Sequence, residues 1–275
     1  MGRVLFSERF PAFYSLAQKK EIVRRHIKDC FSSEKIAATR SAVPLPNVVT
    51  AHSSILIRRL TGVDLTLQEN KVTNILLACK KINGLVIRPG ETFSFWRTVG
   101  WPGAENGYKE GMVISGGHVG SGVGGGLCQM GNLIHWMVLN SPLQVTELHH
   151  HSDALFPDER RRVPFGTGTS VMYNSVDYRF KNTTTQDVQL LVWVQDGELC
   201  GELRSERPFH CRYALVEENS HFRPEGDDYY RISQVCRLVI SKATGAVLRK
   251  ELILDNHSRV MYDHSLIPPE QIRRE

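Results

Sequence analysis

Cys128 is the residue of this 275-residue chain best placed for nucleophilic chemistry, because two incompatible kinds of local sequence meet at it. Seven of the eleven residues from Gly116 to Gly126 are glycine. Each weakens a helix or strand interior by roughly 0.5–1 kcal/mol relative to alanine, so the segment reads as a loop. Beyond it, Leu127, Met130, Leu133, Ile134, Met137 and Val138 recur at helical spacing, and Pro142 marks where that helix has stopped. Cys128 therefore falls in a first helical turn. Unpaired backbone N–H groups and the positive end of the helix dipole favour an anion there and lower a thiol's pKa. A thiolate at Cys128 would attack an amide carbonyl while the N–H groups of Gly126 to Gln129 hold the developing oxyanion. A histidine would protonate the departing amine, and a second amine or water would resolve the thioester. The bland alternative is a small buried hydrophobe.

Several histidines compete for the acid–base role. His135 lies two helical turns beyond Cys128, about 10 Å along the axis, too far for direct proton exchange and better suited to packing. His118 sits inside the glycine-rich segment and could fold back. His149 and His151 share one face of an extended segment, with His150 on the other. The same residues raise a metal alternative, in which His149 and His151 with Cys128, or with His118, would ligate zinc. The G-x-G-x-x-G at Gly120, Gly122 and Gly125 lacks the Lys-Ser/Thr ending of a phosphate loop.

These candidates must be positioned by a folded body. With 41% hydrophobic and 23% charged residues the chain can bury a sizeable core. Its net charge of +5 resides in residues 1–40, where nine Lys/Arg face four acids. A nucleic-acid-tracking body is therefore not indicated, whereas a basic N-terminal arm is. Pro11 opens a helix whose broken apolar stripe, Phe13, Leu16, Ala17, Val23 and Ile27, lies opposite Lys19, Lys20, Arg24, Arg25 and Lys28. That stripe either docks on the protein's own core or rests on an anionic membrane surface. The six cysteines follow no disulfide or zinc-finger spacing, and no signal peptide or membrane span is read, so the expectation is a cytoplasmic protein with reduced thiols, possible membrane contact aside.

Pro44 and Pro46 predict an extended linker over residues 41–50. Thr66 and Glu69 have capping-box spacing ahead of a helix with Val72, Ile75, Leu76, Cys79 and Ile82 on one face, ended by Asn83-Gly84. Strands are predicted at Leu85 to Ile87, Thr92 to Trp96, Thr169 to Tyr173, Val176 to Phe180, Val188 to Gln195 and Glu198 to Leu203. The last two flank an Asp196-Gly197 hairpin turn. Further strands run from Arg231 to Ser241 and Val247 to Leu254. The fold class is therefore α+β, with helices followed by a mainly antiparallel sheet region. Residues 1–60 form an arm and linker, 61–205 an α+β domain, and 206–275 a β-rich extension.

Six motifs occur in order: N-I-L-L-A-C-K-K-I-N-G from Asn74 to Gly84, R-P-G-E-T-F-S-F from Arg88 to Phe95, Val99-Gly100, Gly107-Tyr108, G-G-G-L-C-Q from Gly124 to Gln129, and D-Y-R-F-K-N from Asp177 to Asn182. Over roughly Asn74 to Leu203 the chain resembles the VanW family, named for an accessory protein found with vancomycin-resistance genes. The resemblance implies a cysteine L,D-transpeptidase acting on peptidoglycan stem peptides or precursors. It places the nucleophile on Cys128, the glycine run on Gly124, Gly125 and Gly126, and the His-Ser pair on His151 and Ser152. Glu147, Ser152 or Asp177 would then orient His151. This sequence departs from the family's G-x-D-A-T pattern, with Gly168 where the aspartate is expected. A non-catalytic module that binds a cell-wall precursor peptide is the other reading. Neither cofactor nor nucleic acid is expected.

Overall fold

The computed structural model describes residues 11–57, 65–115, 118–150, 153–155, 157, 163–173 and 175–273 of the chain. Four α-helices, α1 (Pro11–Cys30), α2 (Leu65–Ile82), α3 (Phe95–Val99) and α4 (Cys128–Leu139), accompany thirteen strands among these residues, and the architecture is α+β with antiparallel sheets.

The central sheet is four-stranded, in the order β1 (Asn47–Ile55), β10 (Glu198–Ser205), β9 (Val188–Gln195) and β2 (Leu85–Ile87), all antiparallel. Its β9–β10 connection is the expected two-residue hairpin, with Asp196 at φ 50° and Gly197 at φ 77°. Positive φ at both central residues matches the right-handed twist of the flanking strands. Helix α4 crosses β1 and β10 while α2 lies on β9. The approach of α4 is set at Gly201, where a Cβ would stand 2.7 Å from the Met137 Cε. Ile75, Ile82, Leu133, Ile134, Met137, Val188 and Leu190 fill the space between helices and sheet. Residues 47–50, read from the sequence as linker, are instead hydrogen-bonded as the start of the edge strand β1.

A second sheet orders β3 (Thr92–Ser94), β8 (Arg179–Lys181) and β6 (Gln144–Glu147). The predicted Thr92 to Trp96 strand stops at Ser94, whose hydroxyl accepts from the Arg97 N–H and caps α3. Phe93 and Phe95 are nevertheless both fully buried. The two strands expected between Thr169 and Phe180 reduce to β8 and a Met172–Val176 bridge. A local reason is visible at Tyr178, whose N–H donates to the neighbouring Asp177 carboxylate at 2.9 Å rather than to a strand.

The glycine-rich segment is not wholly a loop. His118–Val123 forms β5, paired with β4 (Glu110–Ser115) in register Gly111 to Gly122 and Val113 to Gly120. Hairpin hydrogen bonds outweigh the entropic cost of Gly120 and Gly122, and among the described residues of the segment Gly124 to Leu127 remains a turn.

In the C-terminal third, β11 (Cys211–Glu225), β12 (Asp228–Ser241) and β13 (Val247–Val260) form a long meander, joined in parallel by β7 (Asp153–Ala154). It carries its own small core of Ala154, Phe165, Phe222, Val260 and Ile267. Among the described residues no helix is long and apolar enough to cross a membrane.

Candidate functional site

The three glycines before Cys128 are required by close packing. Gly124 (φ +79°) backs onto Pro102, Gly125 onto the Gly111 backbone, and Gly126 (φ +90°) onto the Lys71 side chain, where a Cβ would meet atoms at 2.9, 2.2 and 2.1 Å respectively. A side chain cannot be admitted at any of them without displacing a neighbour. Asn74, fully buried on α2, ties the turn down: its Nδ2 donates to the Gly125 and Lys109 carbonyls, both at 2.9 Å, and its Oδ1 accepts from the Lys109 N–H at 2.8 Å. This explains why α2 buries Gln68, Lys71 and Asn74 alongside Ile75 and Cys79, while Leu76, expected on the packed face, is exposed. The helix begins at Leu65, so Thr66 lies in its first turn.

Helix α4 opens at Cys128 itself, with Leu127 as the preceding cap residue. Of the amides proposed to hold an oxyanion, that of Gln129 is committed to the Gly126 carbonyl at 3.1 Å. The N–H groups of Gly124 and Gly125 go to Lys109 and Gly122, both at 3.0 Å. The amides of Gly126, Leu127 and Cys128 make no backbone–backbone hydrogen bond among the described residues. The side chain of Gln129 is also occupied, donating to Ser54 Oγ and the Ile55 carbonyl at 2.9 Å each, which pins the end of β1.

The Cys128 Sγ donates to the Val171 carbonyl at 3.7 Å and is half-buried against the core. Burial pushes the thiol's pKa up, outweighing backbone hydrogen bonds with Val171 and with Cys128 itself that act the other way. The lowered pKa expected from a helix start is therefore not found. The cause is the segment 167–171, which lies across the start of α4 and shields the sulfur: the Thr169 N–H donates to Asn132 Oδ1 at 2.7 Å, and Val171 touches the Gly131 position.

That same segment brings the histidines into the neighbourhood. The Ser170 N–H donates to the His149 carbonyl at 2.7 Å, so the 149–150 backbone lies next to the strand of chain that covers Cys128. Among the described residues the thiol's hydrogen bond goes to Val171 and not to a histidine. His150 contacts the Gly166 carbonyl at 3.2 Å, and burial lowers its pKa. His151 and Ser152 lie outside the described residues, and so does the side chain of His118, whose backbone pairs with Ser115 in β5. His135 is fully buried, 3.1 Å from the Tyr178 hydroxyl, and burial lowers its pKa to about 3. It is a neutral packing residue, as its spacing from Cys128 implied. No group of three metal-binding side chains occurs among the described residues.

Of the candidate orienting groups, Glu147 contacts His149 Nε2 at 3.1 Å as well as Arg25, whereas Asp177 is engaged away from the histidines. Asp177 accepts from Ser94 Oγ at 2.5 Å, Arg179 Nε at 2.8 Å, and the Trp96 and Tyr178 N–H groups at 3.1 and 2.9 Å. Arg179 reaches on to Asp29 at 2.7 Å and Glu34 at 2.8 Å. Arg25 forks onto Glu147 at 2.7 and 2.6 Å and reaches Asp177 at 3.3 Å. Burial raises the pKa of Glu147, but hydrogen bonds from Arg25 and His149 and the charges of Arg25 and Arg179 outweigh it and hold the carboxylate below its usual range. This cluster of arginines and acids is what docks α1. No spacing rule announces it, since its members come from three separate stretches of chain, although D-Y-R-F-K-N does contain Asp177 and Arg179. Beside it, Tyr173 gathers His26, Trp96 and Trp101 edge-on at 6.4, 5.6 and 4.8 Å between ring centroids, two residues beyond Val171.

Residues 70–204 match the family model described as VanW like protein. Across 95% of both chains, this chain is 29% identical to a protein of Enterococcus faecalis named vancomycin B-type resistance protein VanW. It is 34% identical to the uncharacterized protein YoaR of Bacillus subtilis over 52% of its own length and 46% of that protein's. No solved structure matches the chain.

Proposed function

Since the chain belongs to the VanW family through residues 70–204, we propose that it is a cysteine acyltransferase of the L,D-transpeptidase type, acting on peptidoglycan stem peptides or their precursors and linked to glycopeptide resistance. The observation that carries this reading is the placement of the Cys128 thiol beside three successive amides, of Gly126, Leu127 and Cys128, without backbone acceptors among the described residues. Such amides are suited to an oxyanion. The 149–150 backbone, hydrogen-bonded to the segment that covers Cys128, supports a base from the histidine run. The thiol is protonated at rest, so its proton passes to that base as Sγ attacks the carbonyl carbon of the donor peptide. The C–N bond breaks, and the departing D-amino acid leaves as the amine, carrying the proton returned by the base. A second amine then attacks the thioester and releases Cys128.

Incubation with a synthetic stem peptide ending in D-alanine tests this by intact-protein mass. A covalent acyl adduct on the native chain, absent from Cys128→Ala, is expected, together with exchange of the terminal D-amino acid. Absence of both adduct and exchange across tetrapeptide and pentapeptide donors rejects catalysis. The second reading, a module that binds such a peptide without reacting, is favoured by the raised thiol pKa and by the commitment of Asp177 to Arg179 and Arg25. It predicts peptide affinity unchanged by Cys128→Ser.

A further inference from the structure

Helix α1 is attached the wrong way round for an ordinary amphipathic helix. Its docked side carries Ile22, Arg25 and Asp29, partly buried, with Arg25 and Asp29 tied into the arginine–carboxylate cluster. Leu16, Val23 and Ile27 face solvent, 63%, 57% and 54% exposed, and Phe31 just past the helix is 88% exposed. At 3.6 residues per turn the three helical positions fall within about 40° of one another around the axis. They form an apolar stripe, interrupted by Lys20 between Leu16 and Val23, that the protein's own core does not cover. Solvent-facing Lys19, Lys20, Arg24 and Lys28 surround it. Glu21, the acid on this outer part of the helix, lies 3.7 Å from Arg24.

An apolar stripe flanked by cations, on a helix held from behind by its charged face, is complementary to a surface that is oily within and anionic outside. A protein partner with an apolar groove would not require four cations at the rim. We propose that the outer face of α1 binds the surface of an anionic lipid bilayer, with Leu16, Val23, Ile27 and Phe31 entering the headgroup–acyl boundary and Lys19, Lys20, Arg24 and Lys28 meeting lipid phosphates. The cluster behind α1 transmits that attachment to the folded domain. His26, on the flank of the same helix, packs edge-on against Tyr173, so the bilayer would lie about one helix diameter, ~10 Å, from the segment covering Cys128. This inference rests on α1 alone and stands whether or not Cys128 is catalytic.

The test is co-sedimentation of the full chain with vesicles of phosphatidylcholine alone and of phosphatidylcholine with phosphatidylglycerol in equal parts. Pelleting with the mixed vesicles, weak with the neutral ones and released by salt, is expected. A Lys19→Ala/Lys20→Ala chain should bind roughly fivefold more weakly for each lysine removed. A Val23→Ser/Ile27→Ser chain, altered only at exposed positions and so keeping its unfolding midpoint, should lose binding to both vesicle types. No pelleting of the native chain, equal pelleting with neutral vesicles, or binding insensitive to both double variants would overturn the proposal. So would a lipid-free dimer that the serine substitutions dissociate, since that would make a second copy the occupant.

Discussion

Helix α4 meets the rest of the protein through Met130, Leu133, Ile134, Met137 and Val138, all buried, whereas α1 meets it through Ile22, Arg25 and Asp29 and leaves Leu16, Val23 and Ile27 outside. The apolar attachment is close-packed. Its tolerances are set by glycines at Gly201 and in the turn before Cys128, where tenths of an ångström decide whether a side chain fits. The charged attachment depends instead on completeness, because each buried carboxylate or guanidinium is costly without its partner. One kind of anchoring leaves no surface to spare. The other leaves a whole helix face available.

The sharpest break in the comparison is Gly125→Ala. Its Cβ would meet the Gly111 carbonyl carbon and oxygen at 2.2 Å, backbone against backbone, and a cost of about 4 kcal/mol in denaturant unfolding is expected, with the α4 start lost before α1 is disturbed. The corresponding break at the charged end is Arg179→Met. It removes the guanidinium shared by Asp29, Glu34 and Asp177 and leaves Arg25 as the remaining cation beside Asp29 and Asp177, for about 3 kcal/mol. Limited proteolysis should then cut within α1 while the segment from Leu65 onward stays protected; equal protection of α1 in both proteins would mean that the cluster does not hold it.

Acid separates the two attachments by pH. His135 is neutral in the folded state with its pKa lowered from 6.5 to about 3, so the unfolded chain binds the extra proton between these values and stability falls as pH drops through that window. The slope is about 1.4 kcal/mol per pH unit for one proton, and His135→Gln should flatten it. Glu147 has a folded pKa below its ordinary 4.5, so its contribution is present above that value and is lost only as pH falls through the lowered one. Acid titration should therefore weaken the α4 core first and free α1 later, and tryptophan fluorescence read against α1 proteolysis would show the order.

Smaller effects sharpen the contrast at single side chains. Alkylation of the native chain should label the exposed Cys30 first and Cys128 slowly, with a rate midpoint above the usual thiol range; Cys79, buried and pushed up to about 12, should resist until unfolding. Fast labelling of Cys128 at neutral pH would restore the activated thiolate that the helix start led one to expect. Val23→Ser should change the unfolding free energy by no more than about 0.5 kcal/mol, because its side chain already faces water.

Local pattern was enough for much of the frame. The period of Leu127 to Val138 marked α4, Asn83-Gly84 ended α2, Asp196-Gly197 closed the β9–β10 hairpin, and the glycine run before a cysteine located the turn. All of these are decided by residues within one turn or two strands of each other. Tertiary structure alone decided that Gly120 and Gly122 would pair in a strand, that Asn74 would clamp the Gly125 turn from fifty-one residues away, and that the segment 167–171 would cover the thiol and raise its pKa. It also decided that Arg25 would leave the solvated face of a basic helix to complete a buried cluster, turning the apolar stripe outward. Hydrophobic period reports which side of a helix can be buried, but a buried charge cluster assembled from distant segments is a many-body balance of desolvation and pairing that no local window contains.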